Sequence, residues 1–149
     1  GLGLALAPIG AYLAVTGSFD WLPILYAAAV ICWVAGFDII YALQDIDFDQ
    51  AEHLQSVPAR FGLSKSLWVS SILHFFCAVF ILMAAFILHR QYGLSAWLYA
   101  GTFCFVGLLT MQHVIVGKGN LERINLAFFT TNGIASLVLA LCTIIDFYF

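Results

Sequence analysis

Charged residues are scarce in this chain: they make up 9% of its 149 residues, against roughly 25% in an ordinary soluble domain. Basic residues are scarcer than acidic ones, five against eight, so the chain has no basic surface of the kind that binds nucleic acid. No C-x-x-C pair and no Gly/Ser linker occurs either. Cys32, Cys77, Cys104 and Cys142 stand singly in apolar runs, and we expect them to be small core residues rather than disulfide partners or metal ligands. These absences exclude a nucleic-acid-binding domain and a disulfide scaffold.

Hydrophobic residues, in contrast, make up 64% of the chain, which is more than a small globule can bury. A helix needs about 20 apolar residues to cross a bilayer. Stretches of that length occur at 22–43, 66–88, 94–116 and 125–149. The stretch at 1–15 is shorter and is expected to be part of a span. The pattern predicts an all-α integral membrane protein, a transmembrane helical bundle, and we expect it to be a piece of a longer chain.

The spans predict loops at 16–21, 44–65, 89–93 and 117–124. Alternate loops lie on the same side of the membrane, and the basic residues are unequally divided between the two sides. One face has Arg60, Lys65, Lys118 and Arg123, and the other has Arg90. Because basic loops stay on the cytoplasmic side, the loops at 44–65 and 117–124 are predicted to be cytoplasmic. Glycines are expected to end the helices, at Gly17, Gly93, Gly117 and Gly119.

Acidic residues concentrate in the segment that follows the second stretch. Asp38 falls inside that stretch, where an unpaired carboxylate costs at least about 2.5 kcal/mol, so it is expected to face a cavity, a partner or an ion. In a continuous α-helix, Asp38, Tyr41, Asp45 and Asp49 would lie within about 80° of one another. Asp47 would point to the opposite side. The spacing therefore predicts one polar stripe with Asp47 outside it.

Two of these carboxylates have the spacing of a magnesium site. Mg²⁺ is held in proteins by one or two carboxylates together with substrate phosphates. Asp45 and Asp49 can supply two such carboxylates from one helix end. Pro58 is expected to end or bend the segment. Arg60 comes after it, and two roles stay open for its guanidinium: an ion pair with the carboxylates, or contact with a phosphate.

The segment D-x-x-Y-A-x-Q-D-x-x-x-D, which begins at Asp38, is followed by S-x-x-A-R-F-G, which ends at Gly62. Together they resemble the second aspartate-rich motif of the UbiA-type membrane prenyltransferases. The earlier A-P-I-G-A-Y-L-A-V-T-G-S and the later R-I-N-L-A-F-F-T-T-N-G are also similar to that family. The resemblance covers essentially the whole chain.

That resemblance implies a nine-span helical fold, of which about five spans are present, in one domain covering residues 1–149. It also implies transfer of a polyprenyl group from polyprenyl diphosphate to an aromatic quinone precursor. The acceptor would be 4-hydroxybenzoate or a bicyclic naphthoate, for ubiquinone or menaquinone biosynthesis, with Mg²⁺ as the cofactor. Such proteins carry a further aspartate-rich motif in an amino-terminal half. This chain lacks that motif, so alone it is expected to be inactive.

Four positions take their roles from the resemblance. Asp45 and Asp49 match the pair that binds Mg²⁺ and diphosphate, and Asp38 and Tyr41 match cavity-facing polar positions of the active site. The chain departs from the family at Gln55, where many members have a lysine, so Arg60 or an upstream residue would have to replace that cation.

Other polar residues are weaker candidates. Arg123 and Asn125 stand beside the last span, where they would either hold the diphosphate or the acceptor, or cap a helix. Asn132 lies inside that span, and we expect it to form an interhelical hydrogen bond. His74 and His113 are far apart in sequence, so packing or interhelical hydrogen bonds are expected of them rather than a metal.

Two alternatives to the prenyltransferase stay open. The carboxylates would also suit a non-catalytic membrane protein that handles divalent cations, and a truncated, inactive remnant would retain the same motifs. For the enzyme, we expect the bacterial inner membrane, with the active-site loops facing the cytoplasm.

Overall fold

The protein is built almost entirely of helices. The computed structural model describes residues 1–117 and 124–149, and no strand occurs in these ranges. The elements in chain order are α1 (Leu2–Thr16), α2 (Trp21–Ala42), a 3₁₀ turn (Leu43–Asp45), α3 (Ile46–Ala51), α4 (Val57–Tyr92), α5 (Ala96–Val116), a π-helical segment (Leu126–Thr131) and α6 (Asn132–Tyr148). The predicted all-α class is confirmed.

Four helical stretches in the described ranges are long and apolar enough to cross a membrane. They are Trp21–Ala51, Val57–Tyr92, Ala96–Val116 and Phe128–Tyr148. α1 has 15 residues, and at 1.5 Å per residue it covers about 22 Å of a hydrocarbon core about 30 Å thick. The four predicted spans and the shorter apolar helix before them are therefore confirmed.

Successive spans run in opposite directions, which brings four helix ends together. The end of α2, the beginning of α4, the end of α5 and the π-helical segment before α6 lie at one end of the bundle. We call it the acidic end, because it carries Asp38, Asp45, Asp47 and Asp49. The fold thus positions the predicted site residues that it describes at one end of the membrane-spanning helices.

Small residues allow the helices to approach closely. α2 packs mainly against α4, and α5 packs mainly against α6. Ala84 and Ala85 are fully buried in α4, beside Leu22 of α2. A Cβ atom added to Gly101 of α5 would lie 2.6 Å from Cβ of Cys142 in α6. Packing of this kind holds helices together in a lipid environment, where apolar surface alone provides little preference for protein over lipid.

Helix ends obey the expected rules at several points. Gly17 and Gly93 end α1 and α4 with φ angles of 65° and 76°, as predicted. Gly117 comes after α5 in a right-handed conformation. Gly119 lies outside the described residues. Asp20 caps α2, where its side chain accepts hydrogen bonds from the first backbone N–H groups.

The predicted loop at 44–65 is wrong. The chain continues as the 3₁₀ turn and α3, and α4 already begins at Val57. The Ser56 side chain caps α4 by accepting a hydrogen bond from the Ala59 N–H group, at 3.2 Å. Pro58 lies in the first turn of α4, where its missing N–H group leaves no helical bond unmade, so it does not end a segment. A kink at Gly62, with φ 76°, separates this turn from the long helix.

All four cysteines are free, as predicted. Cys77 is fully buried among α2, α4 and α5, and Cys32 and Cys142 are partly buried. Cys104 is exposed on α5, so its prediction as a core residue is wrong. The apolar thiol of Cys104 has no reason to be excluded from a surface that faces lipid.

Candidate active site

The acidic end begins with an aspartate and a tyrosine on the last turns of α2. Asp38 is exposed on the isolated chain, and Tyr41 has 38% of its surface exposed. The Tyr41 ring packs against Phe128 of the π-helical segment, with 4.4 Å between the ring centroids. Both side chains therefore lie where α2 meets the beginning of the last span.

The 3₁₀ turn interrupts the stripe that a continuous helix would form. Each residue advances by about 120° in a 3₁₀ helix and about 100° in an α-helix, so three such residues rotate the start of α3 by about 60°. Asp45 is the last residue of the turn and is exposed. Asp47 and Asp49 lie on α3, where Asp47 is exposed and Asp49 is half-buried. The stripe expected from a continuous helix therefore does not extend unchanged through the turn.

Asp49 and Arg60 line one polar groove. The groove measures about 550 Å³, and its walls come from α3, from the connection after it and from the first turn of α4. Its remaining lining residues are Gln50, His53, Leu54, Gln55 and Ala59. The Gln50 amide donates a hydrogen bond to the Ala59 carbonyl at 3.2 Å, which joins α3 to α4. The Arg60 guanidinium also lies 5.4 Å from the centre of the Phe61 ring.

The remaining predicted site residues are placed separately. Asn125 is exposed at the beginning of the last span, and Arg123 lies outside the described residues. In residues 1–117 and 124–149, no group of three or more acidic, histidine or cysteine side chains is arranged to hold a metal ion. A metal ion held by one or two of the described carboxylates would need further ligands, which a bound phosphate can supply.

Apolar cavities begin beside the acidic end and continue along α2. One, of about 690 Å³, lies between α1, α2 and the last span, and its walls include Trp33, Phe37 and Phe128. A second, of about 340 Å³, lies between α2, α4, α5 and α6. The two cavities share Val30, Trp33 and Ser136 among their lining residues. We call them together the apolar trough.

Aromatic rings connect the trough with the acidic end. Trp33 packs edge-on against Phe37 at 5.7 Å, and Phe37 packs against Phe128 at 5.1 Å. Phe128 in turn contacts Tyr41. The trough residues were not predicted from the sequence, although Trp33, Phe37 and Tyr41 are spaced four residues apart. Such spacing places aromatic side chains along one side of a helix, and it was the signal that could have found them.

A buried amide network joins three helices beside the trough. The Trp33 indole N–H group donates to the Asn132 side-chain oxygen at 3.0 Å. Gln112 of α5 donates to the same oxygen and, at 2.9 Å, to the Thr131 hydroxyl. The interhelical hydrogen bond predicted for Asn132 is thus confirmed. Gln112 was not singled out, although an amide inside an apolar span is itself a signal of such a bond.

These features define an integral membrane protein with a carboxylate-bearing end that opens beside an aromatic, apolar trough. The family model of the UbiA prenyltransferase family matches residues 1–141, and the chain belongs to that family. No curated protein and no solved structure matches the chain significantly. Membership makes it a membrane prenyltransferase by family, with transfer of a prenyl group as the class of reaction.

Proposed function

We propose that this chain is the carboxyl-terminal part of a Mg²⁺-dependent enzyme. The enzyme transfers a polyprenyl group from its diphosphate to an aromatic quinone precursor. The observation that carries the proposal is the direct connection, through Tyr41 and Phe128, between the acidic end and the apolar trough. A polyprenyl diphosphate has the matching division into a highly charged head and a long apolar tail. The acceptor would be 4-hydroxybenzoate or a bicyclic naphthoate.

The residues at the acidic end suit a diphosphate bound through magnesium. Asp45 and Asp49 offer carboxylate oxygens, the ligands that Mg²⁺ prefers, and the phosphates would complete its coordination. Bound there, the ion would act as a Lewis acid that stabilises charge on the departing diphosphate. Arg60 lies in the same groove as Asp49 and would contact a phosphate oxygen. Arg123 and Asn125 are further candidates for this contact, and Asp38 would face the reacting end of the prenyl group.

The trough suits the tail and the developing positive charge. In the transfer, the bond between the first prenyl carbon and the diphosphate oxygen breaks, and its electron pair leaves with the diphosphate. A ring carbon of the acceptor supplies the electron pair of the new carbon–carbon bond and then loses its proton. The faces of Phe37 and Phe128 favour positive charge nearby, because aromatic rings attract cations. The apolar lining of the deeper trough would hold the tail away from water.

The remaining requirements of the proposal concern the rest of the protein. An amino-terminal half with the other aspartate-rich motif would close the site, and this chain alone would be inactive. The acidic end would face the cytoplasm, in a bacterial inner membrane, because the predicted cytoplasmic loops carry four of the five basic residues.

Binding of farnesyl diphosphate to the protein at its native length tests the proposal. We expect Mg²⁺-dependent binding that weakens at least about tenfold in Asp45→Asn and in Asp49→Asn, because each loses a charged ligand. Asp47→Asn is the matched control, since it removes the same charge from the same segment, and binding should stay within about twofold. Equal losses in all three variants would show that only net charge matters.

The same titration separates the proposal from its rival. A membrane protein that handles divalent cations would bind Mg²⁺ equally well with and without the diphosphate. The enzyme should instead bind the two cooperatively. The enzymatic proposal would be refuted if the Mg²⁺ affinity did not change with diphosphate and no prenyl transfer occurred to a panel of hydroxybenzoate and naphthoate acceptors.

A further inference from the structure

Two histidines from different helices meet near the acidic end, outside the candidate active site. His74 of α4 and His113 of α5 are 39 residues apart in sequence, and Nδ1 of His74 lies 2.9 Å from Nε2 of His113. His74 is buried, with 4% of its surface exposed. The rings cross at 72° and border a groove of about 290 Å³ between the two helices. Ionisable groups inside membrane-spanning helices are rare and commonly functional.

The outer nitrogens of the two rings indicate where their protons lie. Nε2 of His74 is 3.3 Å from the Trp33 carbonyl oxygen, which can only accept, so this nitrogen carries a proton. Nδ1 of His113 is 3.2 Å from the Ser71 hydroxyl. That hydroxyl is 2.8 Å from the Leu67 carbonyl and has one proton, which it donates at the shorter distance. Ser71 then accepts from His113, whose Nδ1 must also carry a proton.

With both outer nitrogens protonated, two neutral rings would present bare lone pairs to each other at 2.9 Å. That arrangement is repulsive unless a positive species lies between them. One neutral alternative exists, in which the Ser71 hydroxyl turns from Leu67 towards His113 and each ring donates to the next acceptor. This alternative loses the hydrogen bond from Ser71 to the Leu67 carbonyl, which at 2.8 Å is the shorter of the two. The geometry with the shorter Ser71 hydrogen bond therefore fits a pair that holds a cation between its inner nitrogens.

We propose that His74 and His113 form a cation-binding site, in which one proton or one transition-metal ion bridges Nδ1 of His74 and Nε2 of His113. The separation fits a shared proton without any movement, because N–H···N bonds have this length. With a zinc ion at about 2.0–2.1 Å from each inner nitrogen, a nitrogen–nitrogen separation of about 2.9 Å gives an N–Zn–N angle of about 90°. A tetrahedral N–Zn–N angle needs the two nitrogens about 3.3 Å apart. A metal ion would thus require the rings to part by about 0.4 Å.

The helix end at the pair favours a bound cation, whereas the apolar surroundings raise the cost of one. His113 lies in the last turn of α5, where the helix dipole favours positive charge. The side chains that border the groove from α4 and α5 are apolar or hydroxylic, apart from the two imidazoles, and α2 contributes Trp33 and Gly36. Among the described residues bordering the groove, therefore, each imidazole has the other as its ionisable neighbour. Both outer N–H groups are held by oxygen atoms, as is usual for histidines that ligate metals.

Nitrogen NMR of the native-length protein, labelled with ¹⁵N-histidine, counts the protons directly. The proton-bridged pair has three protonated ring nitrogens, a neutral pair has two, and the count should be followed between about pH 5 and 8. We expect three in part of this range. His113→Gln should abolish that signature. His89→Gln is the matched control, since His89 is also on α4 but bonds to a backbone carbonyl, at 2.6 Å from Leu94, and it should change nothing in the pair.

Zinc addition distinguishes the two cations. With excess Mg²⁺ present to occupy carboxylate sites, Zn²⁺ should shift the two inner nitrogens and leave both outer ones protonated if the site accepts a metal. Three protonated nitrogens without a zinc response would identify the proton as the occupant, and a zinc response without a third proton would identify the metal. Two protonated nitrogens throughout the pH range, together with no zinc response, would overturn the proposal. These readouts do not involve the diphosphate, so they are independent of the proposed enzymatic activity.

Discussion

Gly36 allows α2 to pack closely against His74 of α4, and Gly36→Ala should be strongly destabilising. A Cβ atom at this position would lie 2.3 Å from Cδ2 and 2.4 Å from Nε2 of His74. The His74 ring has little room to move, because it bonds to both His113 and the Trp33 carbonyl. Overpacking of this kind costs about 1–3 kcal/mol, and loss of the bond to Trp33 adds about 0.5–1.5 kcal/mol. A bond from Ser70 to the Gly36 carbonyl, at 2.7 Å, is also at risk.

We therefore expect the free energy of unfolding to fall by about 1.5–4.5 kcal/mol, measured by denaturation in mixed detergent micelles. Gly107→Ala is the matched control, because Gly107 is also inside a spanning helix and an added Cβ would meet nothing within 4 Å. That variant should be neutral or stabilised by up to about 1 kcal/mol, since alanine favours helix more than glycine does. If the two variants differ by less than about 0.5 kcal/mol, the close approach does not determine stability and the reasoning is refuted.

Three further predictions concern other parts of the bundle. Asp146→Ala should lower the free energy of unfolding by about 1–2 kcal/mol in the same detergent assay. The reason is that the Asp146 carboxylate accepts hydrogen bonds from two backbone N–H groups at the beginning of α5, at 2.7 and 2.8 Å. An unchanged stability would contradict this. Asp20 accepts a hydrogen bond from Tyr12, and this bond, followed by those from the backbone, lowers the pKa of the Asp20 carboxyl. The contribution of Asp20 to stability should be present above the ordinary carboxyl pKa and disappear as the pH falls through the lowered pKa. Asp20→Asn should therefore make the free energy of unfolding less dependent on pH between about pH 5 and 2. Identical pH profiles for the variant and the unaltered protein would be evidence against this prediction. Val30→Trp fills the trough and should weaken the binding of long polyprenyl diphosphates at least about tenfold more than that of short ones. Leu82→Trp, on the exposed side of α4, should weaken the binding of long and short diphosphates equally. Equal effects of the two substitutions would argue against the trough as the site of the tail.

The spanning helices were predictable because a long run of apolar residues is enough to specify each of them. A run of about 20 apolar residues in lipid satisfies its backbone only as a helix, so the four spans follow from composition and length. The left-handed ends at Gly17 and Gly93 follow equally simply, because glycine adopts positive φ without steric cost. These features depend on neighbouring residues alone, and no tertiary contact is needed to specify them.

The segment at 44–65 was predicted wrongly because its polar composition resembles that of a loop. Its helices depend on particular local bonds: the Ser56 cap, the Gln50 contact with Ala59 and the tolerance of a first helical turn for Pro58. Polarity marked this segment as lying outside the lipid, which is a different property from being irregular. The same error would affect any membrane protein whose active-site segments are short amphipathic helices.

The interhelical hydrogen bonding predicted for His74 and His113 is confirmed, but their bonding to each other was not predictable. Interhelical hydrogen bonding was expected of both residues, but their meeting depends on how α4 and α5 rotate and on the close approach of α2 at Gly36. These are properties of the packed bundle. Sequence separation was therefore a poor guide to whether His74 and His113 lie within reach of each other.

Trp33 connects the two polar networks of the bundle. Its backbone carbonyl accepts from His74, and its indole N–H group donates to Asn132 on the last span. The α4–α5 histidine pair and the amide network therefore hold α2 from two sides at a single residue. Asp38 lies only five residues later on the same helix, about one turn and a half from Trp33. Both networks therefore fix the part of α2 that leads to the acidic end.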